Sequence, residues 1–198
     1  MPNIPQPSVE VSLADYFRAQ LQEFGKKLAP PPQEDTIWYM GNLLARFGDS
    51  DQLFSYDQGE VSIRPLALLY RDAYESNDRR ERCLILRQLG DMALFLGALF
   101  PETFARKGIR KDYFVGMGGG AYDYLSENAH HNRHIFYELA AKFTRMLELI
   151  ARVCCKQNVF DSIDILNLYR RWRQYRDPMV AEQLRALGIS VLATDNLH

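Results

Sequence analysis

The sequence predicts an all-α protein, a single-domain helical bundle of about seven helices, on three observations. Apolar residues recur at helical spacing in most segments, candidate strands are few and short, and stretches with proline or glycine separate the segments. The chain has 198 residues, 47% of them hydrophobic, which suffices for one domain with a buried core. We therefore expect the bundle at 12–188, a flexible proline-containing arm at 1–11 and a tail at 189–198.

Four helices are predicted in the N-terminal half. Ser12 is placed to cap the first, at 13–28, and the prolines at 30–32 end it. The second is expected at 37–47 and the third after Ser62, with a polar loop at 48–61 between them. The fourth, about 82–100, is apolar on all sides from Met92 onward, so it is predicted to be the central helix.

The C-terminal half adds three clear helices. The strongest amphipathic pattern of the chain is "HIFYELAAKFTRMLELIARVCC" at 134–155. Further helices are expected at 162–175 and 178–187, the last ended by Gly188. The glycine-rich segment "DYFVGMGGGAYDYL" at 112–125 precedes them and is treated as a candidate site.

Composition narrows the class of protein. The formal net charge is −1, from 24 basic and 25 acidic residues, which argues against a general nucleic-acid binder. No secretory signal is visible, and the longest apolar run, at 92–100, is about half of what a membrane span needs. The three cysteines make a poor disulfide framework. We expect a cytoplasmic protein with no membrane partner.

The glycine-rich segment allows three interpretations. Gly116, Gly118 and Ala121 match the spacing of a dinucleotide-binding loop, but no buried strand precedes them. If the segment is helical, one face contains a set predicted to contact a closely packed helix or a ligand: Tyr113, Gly116, Met117, Gly120 and Tyr124. Glycines inside a helix cost about 1 kcal/mol each relative to alanine, so close packing or a kink is favoured and a flat ligand stays open.

A metal site is the second candidate. On one helix, a stripe of Glu127, His130, His134 and Glu138 would have the E-x-x-H spacing of metal sites in helical bundles. Imidazole and carboxylate ligands suit zinc or iron. No second such motif is present, so the alternative interpretation is a polar, partly exposed stretch without a cofactor.

A glycine-rich helix close to His130, His131 and His134 resembles the haem oxygenases, in which such a helix lies over the haem. The resemblance implies a haem bound by one of these histidines. In that family the ligand is a histidine near the N-terminus, whereas this sequence has none before His130.

The segment "NLYRRWRQYRD" at 167–177 combines arginine with aromatic residues, as binding hot spots do. A surface for a protein partner or for self-association is predicted there, and RNA stacking is a weaker alternative. A solvated helix face with Trp172 in the core explains the pattern equally well. The residues assigned to the surface are Arg170, Arg171, Trp172, Arg173 and Arg176.

Asp91 directly precedes the apolar run of the central helix. Its expected partner is Arg87, one turn earlier, or the hydroxyl of a tyrosine. The functional alternative is an acid in a pocket.

The stretches "LRQLGDMALFLGALFPE" and "DYFVGMGGGAYDYL" resemble a family of uncharacterised all-helical bacterial proteins, over 66–147. The resemblance implies only that these stretches belong to one structural unit. Because no catalytic constellation is complete, the sequence favours a non-catalytic bacterial regulatory or scaffold protein that acts through helix-mediated contacts, for example as a homodimer. The alternative is a metal- or haem-dependent helical enzyme.

Overall fold

A computed structural model shows an all-helical fold. It describes residues 12–49, 64–154, 162–186 and 189, and those residues form ten helices and no strand. The helices are α1 (Leu13–Gly25), α2 (Glu34–Asp49), α3 (Arg64–Glu75), α4 (Arg79–Leu99), α5 (Pro101–Arg106), α6 (Lys111–Asn128), α7 (Arg133–Ala141), α8 (Phe143–Cys154), α9 (Ser162–Tyr175) and α10 (Pro178–Ala186). The predicted all-α class is confirmed. The arm at 1–11, most of the loop at 48–61 and the tail beyond residue 189 lie outside the described residues.

The described residues form more helices than the seven or so expected, for three local reasons. Pro101 ends α4 as predicted, but it also begins the short helix α5, since proline fits the first turn of a helix. The glycine-rich segment is fully helical and forms most of α6. The single helix expected at 134–155 is interrupted at Lys142, whose φ of −121° is not helical, and is divided into α7 and α8.

Helix α4 lies at the centre of the fold. It contacts α3, α5, α6 and α8. The Asp78 side chain caps its first turn by accepting the N–H of Arg80 at 2.9 Å. Every residue from Leu89 to Leu99 is buried, which requires neighbours on all sides, as the unbroken apolar run indicated.

The remaining helices pack mainly on one another. Helix α1 packs on α2 and α8, α7 packs on α6, and α9 contacts α2 and α10. Ser12 caps α1 as predicted, because its hydroxyl accepts the N–H of Asp15 at 3.1 Å. None of the helices in the described part of the chain combines the length and the apolar character that crossing a membrane requires.

Candidate functional site

The glycines of α6 have different surroundings. Gly118 is buried, and a β-carbon built on it would lie 2.6 Å from Cε2 of Phe143 and 2.9 Å from Cβ of Ala93. Real β-carbons do not approach other atoms so closely, so only glycine allows α6 to pack this tightly against α8 and α4. Close packing is therefore the role of Gly118, which the predicted contact face did not include.

Gly116 and Gly120 face open space instead. Both are exposed, and among the described residues no atom from beyond the adjoining backbone of α6 would lie within 4 Å of a β-carbon on either. They lie one turn apart beside a groove of about 490 Å³ between α3, α4 and α6. The groove is lined by Tyr70, Ala73, Tyr74, Arg82, Leu86, Leu89, Gly116, Met117, Gly120, Ala121 and Tyr124.

Four of the five residues predicted as a contact face thus line this groove. The fifth, Tyr113, lies outside its lining, and its ring meets Phe114 edge-on at 5.7 Å between centroids. Burial raises the pKa of the Tyr113 hydroxyl. At Gly116 and Gly120 no other helix of the described part of the chain comes close.

The groove surface is mainly apolar and aromatic. Tyr70 and Tyr74 of α3 are 54% and 80% exposed, so their rings offer contact area to a binding partner. The single charged side chain of the lining, Arg82, donates from Nε to the carbonyl of Ala73 at 3.1 Å and also donates to the carbonyl of Ser76. The Arg82 guanidinium is therefore hydrogen-bonded to the backbone at the C-terminal end of α3.

Sequence reasoning missed the α3 side of the groove. Tyr70 and Tyr74 are four residues apart, so they share a helix face, and that spacing was the available signal. Which face of α3 remains uncovered depends on where α3 lies on α4, and that is a tertiary property.

The residues proposed for a metal site do not share one helix. Helix α6 ends at Asn128, directly after Glu127, and α7 begins only at Arg133. His130 lies in the connection between them, where the helical spacing assumed for an E-x-x-H motif does not apply. The expectation of four ligands along one helix face is therefore corrected, because the chain leaves the helix at Asn128, where that arrangement required a continuous helix.

The other two members of that set have partners of their own. Nε2 of His134 lies 2.8 Å from Oδ2 of Asp35. Glu138 is buried and accepts hydrogen bonds from the backbone N–H of Gln33 at 3.0 Å and from Nζ of Lys142 at 2.8 Å. Over the ranges that the structure describes, no three His, Cys, Asp or Glu side chains are placed to hold a metal ion.

The arginine-rich part of α9 is divided between the interior and the surface. Trp172 is buried, and the guanidinium of Arg176 lies over its ring at 4.3 Å from the centroid. Arg170 faces α2 and donates to the carbonyl of Phe47 at 3.0 Å. Arg171 and Arg173 are exposed, and Arg171 lies 3.8 Å from Asp177. The five predicted residues therefore do not form one continuous surface.

Asp91 is the centre of a buried polar network. Its side chain is almost fully buried, and its Oδ1 accepts hydrogen bonds from the hydroxyls of Tyr39 at 2.6 Å and of Tyr122 at 2.8 Å. Its Oδ2 forms an ion pair with Arg46. This one carboxylate joins three helices, α2, α4 and α6. Its hydrogen bonds and its ion pair compensate the cost of burying its charge.

The tyrosine partner expected for Asp91 is thus confirmed, but the expected pair with Arg87 is not formed. Arg87 instead donates from Nε to the hydroxyl of Tyr39 at 3.2 Å. The two tyrosines remain protonated donors. Burial, reinforced by the neighbouring Asp91 carboxylate, raises the pKa of Tyr122 well above 10.0, and the pKa of Tyr39 rises for the same reasons.

A second cavity, of about 500 Å³, lies beside this network along α2. Its polar and charged lining differs from that of the α6 groove. The lining residues are Glu34, Asp35, Trp38, Tyr39, Asn42, Leu43, Arg46, Arg87, Asn132 and Ile135.

No model of a known protein family, no curated protein and no solved structure matches the chain significantly. The resemblance to a family of helical bacterial proteins therefore stays a prediction, and function has to be inferred from the geometry of the chain itself.

Proposed function

We propose that this is a non-catalytic regulatory or scaffold protein that binds a helix of a partner protein in the groove between α3, α4 and α6. The observation that supports this proposal is the open space in front of Gly116 and Gly120. These two glycines have no packing role within the described chain, yet they are one turn apart beside an aromatic groove.

The stability cost of these glycines favours a functional role. A glycine inside a helix costs about 1 kcal/mol relative to alanine. Contact with Phe143 and Ala93 explains this cost at Gly118. At Gly116 and Gly120 the described residues make no such contact, whereas a partner helix could bring its backbone close to α6 only where side chains are absent.

The other groove residues suit a helix as the occupant. Tyr70, Tyr74, Met117 and Tyr124 provide aromatic and flexible apolar contacts of the kind that dominate binding energy at protein interfaces. Since Arg82, the one charged residue among the described lining residues, is bound to the carbonyls of Ala73 and Ser76, the complementary surface is apolar. The partner helix is therefore amphipathic, with a small residue where it crosses Gly116 and Gly120.

The partner surface proposed from the sequence on α9 receives less support, because Trp172 is buried and Arg170 faces α2. The geometry gives no support to the alternative of a metal- or haem-dependent enzyme. Of its proposed ligands, Glu127 lies in α6, whereas His130 and His134 lie beyond the end of that helix. A cytoplasmic location and a bundle formed by residues 12–188 complete the proposal.

Site-specific photo-cross-linking tests the proposal. Met117 is replaced by a photoreactive phenylalanine derivative, cells that produce the protein are irradiated, and the cross-linked peptide is identified by mass spectrometry. We expect a peptide from an amphipathic helical segment of one protein. Gly120→Leu should abolish the cross-link, since its side chain would fill the open space.

Gly119→Ala is the matched control. It lies on the same helix, and its β-carbon would make only an ordinary contact, 3.9 Å from Cβ of Phe143. The cross-link should persist in this variant. The same yield in the Gly120→Leu and Gly119→Ala variants, or no cross-linked product in any of them, would contradict the proposal.

A further inference from the structure

The cavity along α2 contains charged side chains that form no ion pair with any other described residue. One end of the cavity, here called the inner end, carries two guanidinium groups, Arg46 and Arg87, and the carboxylate of Asp91 lies behind them. Arg46 pairs with Asp91, whereas the hydrogen bond of Arg87 goes to the neutral hydroxyl of Tyr39. Among the described residues one positive charge is therefore in excess at this end, and the terminal nitrogens of Arg87 can donate to an anion.

The outer end of the same cavity has the opposite charge. Glu34 and Asp35 occupy the first turn of α2. Asp35 lies 2.8 Å from His134, while no ion pair of Glu34 is found within the described residues. A carboxylate at this end thus remains available to a cation.

The wall between the two ends is held in place before any ligand binds. The ring of Trp38 is half exposed, and the guanidinium of Arg18 lies over it at 3.3 Å from the centroid. Arg18 also donates to Oδ1 of Asn42 at 3.0 Å. This contact fixes the Asn42 side chain and leaves its amide NH₂ to donate to a carbonyl of a ligand.

The distance between the charged ends sets the length of a complementary ligand. Glu34 and Tyr39, which Arg87 contacts, are five residues apart on α2, and Glu34 and Arg46 are twelve apart. At about 1.5 Å per residue these spacings correspond to about 8 Å and about 18 Å along the helix. An extended chain of about two to five residues spans that range.

We infer that this cavity is a binding site for a short peptide with free ends, whose carboxylate meets Arg87 at the inner end and whose ammonium group meets Glu34 at the outer end. The cavity of about 500 Å³ is of the size that binds small molecules. Between the ends, Leu43 and Ile135 provide apolar contact for one side chain of the peptide. The site is independent of the α6 groove.

Calorimetric titration of the full-length protein with Ala-Leu-Ala tests this inference. We expect binding with one peptide per chain. Acetylation of the peptide amine and amidation of its carboxylate should each weaken binding about tenfold or more, because each removes one charged hydrogen-bonding group. No binding of the uncapped peptide, or equal affinity for the capped and uncapped forms, would overturn the inference.

Two variants test which residue of the cavity binds which end of the peptide. In Glu34→Gln, acetylation of the peptide should no longer weaken binding, whereas amidation still should. In Arg87→Gln, amidation should no longer weaken binding, whereas acetylation still should. Glu127→Gln, an exposed carboxylate outside the cavity, is the control and should behave as the wild type. If Arg87→Gln fails to fold, the capped peptides on the wild-type protein decide the question alone.

Gly120→Leu separates this site from the partner groove. It should leave peptide affinity unchanged, because it lies on α6 outside the cavity lining. A negative result in the cross-linking experiment would therefore not count against the peptide site. A negative result in the calorimetric titration would likewise not count against the partner groove.

Discussion

Gly118 of α6 lies directly against the ring of Phe143 at the beginning of α8, with no room for a β-carbon between them. Phe143 is itself 2% exposed and packs at 6.0 Å between ring centroids from Tyr122. The contact brings α6, α8 and α4 to one point, because Ala93 of α4 borders the same glycine. One glycine of the cluster thus determines how closely three helices approach.

The first prediction is a difference in sign between two alanine substitutions in α6. Gly118→Ala should lower the free energy of unfolding by about 1–3 kcal/mol, because the added methyl group overpacks the contact with Phe143. Gly116→Ala should raise it by about 0.5–1 kcal/mol, because the methyl group enters open space and alanine is the better helix former. Urea denaturation followed by circular dichroism measures both. Equal effects would contradict this assignment of the glycines.

The sequence could predict which residues of α6 share a face but not the role of each glycine. Helical spacing brought Gly116, Met117, Gly120 and Tyr124 together, and the structure places these four along one groove. That Gly118 is the packing glycine depends on the position of Phe143, 25 residues further along the chain. Periodicity reports which residues share a face, whereas the helix covering that face is set by the whole fold.

The continuous helix assumed for the metal stripe is not formed, for a local reason. A continuous helix through Glu127, His130 and His134 was assumed, but the chain leaves the helix at Asn128 without glycine or proline to signal it. Asn132 then adopts a left-handed conformation with φ of 62°, which reorients the chain before α7. Asparagine tolerates this conformation better than most residues, so it was the one available signal.

The second prediction concerns the ion pair that joins α2 to α4. Asp91→Asn should lower the free energy of unfolding by about 2–3 kcal/mol, because Arg46 loses the counter-charge of a buried carboxylate. Arg46→Gln should cost about 1–3 kcal/mol, since it removes a charged donor from the buried Asp91 carboxylate, although solvent screens the half-exposed Arg46. The double variant should cost less than the sum of the two, as contacting residues are coupled.

Asp112→Asn is the control for these measurements. Asp112 belongs to an exposed pair with Arg110 at 3.4 Å, and such surface pairs contribute about 1 kcal/mol at most. Additive effects of the Asp91 and Arg46 variants would show that the two side chains act independently, contrary to the observed pair.

The partners of Asp91 show which part of a contact can be predicted from the sequence and which part cannot. A tyrosine hydroxyl was expected, and two are found, but Tyr39 is 52 residues away along the chain and Tyr122 is 31 away. Eleven tyrosines were candidates. Chemistry limits the type of partner for a buried carboxylate, whereas its identity follows only from helix packing.

The third prediction is a loss of stability at alkaline pH. Burial and the Asp91 carboxylate raise the pKa of Tyr122 above its ordinary value of 10.0, so the folded state favours the neutral phenol. The stabilisation is complete below about pH 10, where both states are protonated, and is lost as the pH rises toward the folded-state pKa. Tyr122→Phe should lessen this loss in denaturation curves recorded from about pH 8 to 11 and leave the part that Tyr39 contributes. Tyr137→Phe, which removes an exposed hydroxyl, should retain the wild-type slope.

The fourth prediction concerns acid pH and Glu138, which joins α7 to the segment before α2. Although burial alone would raise its pKa, hydrogen bonds from Lys142 and from the N–H of Gln33 hold the pKa below its ordinary value of 4.5. The stabilisation is therefore present above about pH 4.5 and is lost as the pH falls through the folded-state pKa. Glu138→Gln should remove this acid dependence and cost about 1–3 kcal/mol at neutral pH, because Lys142 loses its anionic acceptor.

Glu148→Gln provides the comparison for Glu138, since Glu148 is half exposed and pairs with Lys111 at 3.1 Å. Solvent screens that surface pair, so its removal should change stability by less than about 1 kcal/mol. Denaturation curves between about pH 3 and 7 for both variants make the test. An acid dependence that persists unchanged in Glu138→Gln would mean that another carboxylate controls acid unfolding, and that the contact of Glu138 with Gln33 and Lys142 does not hold the segment before α2 against α7.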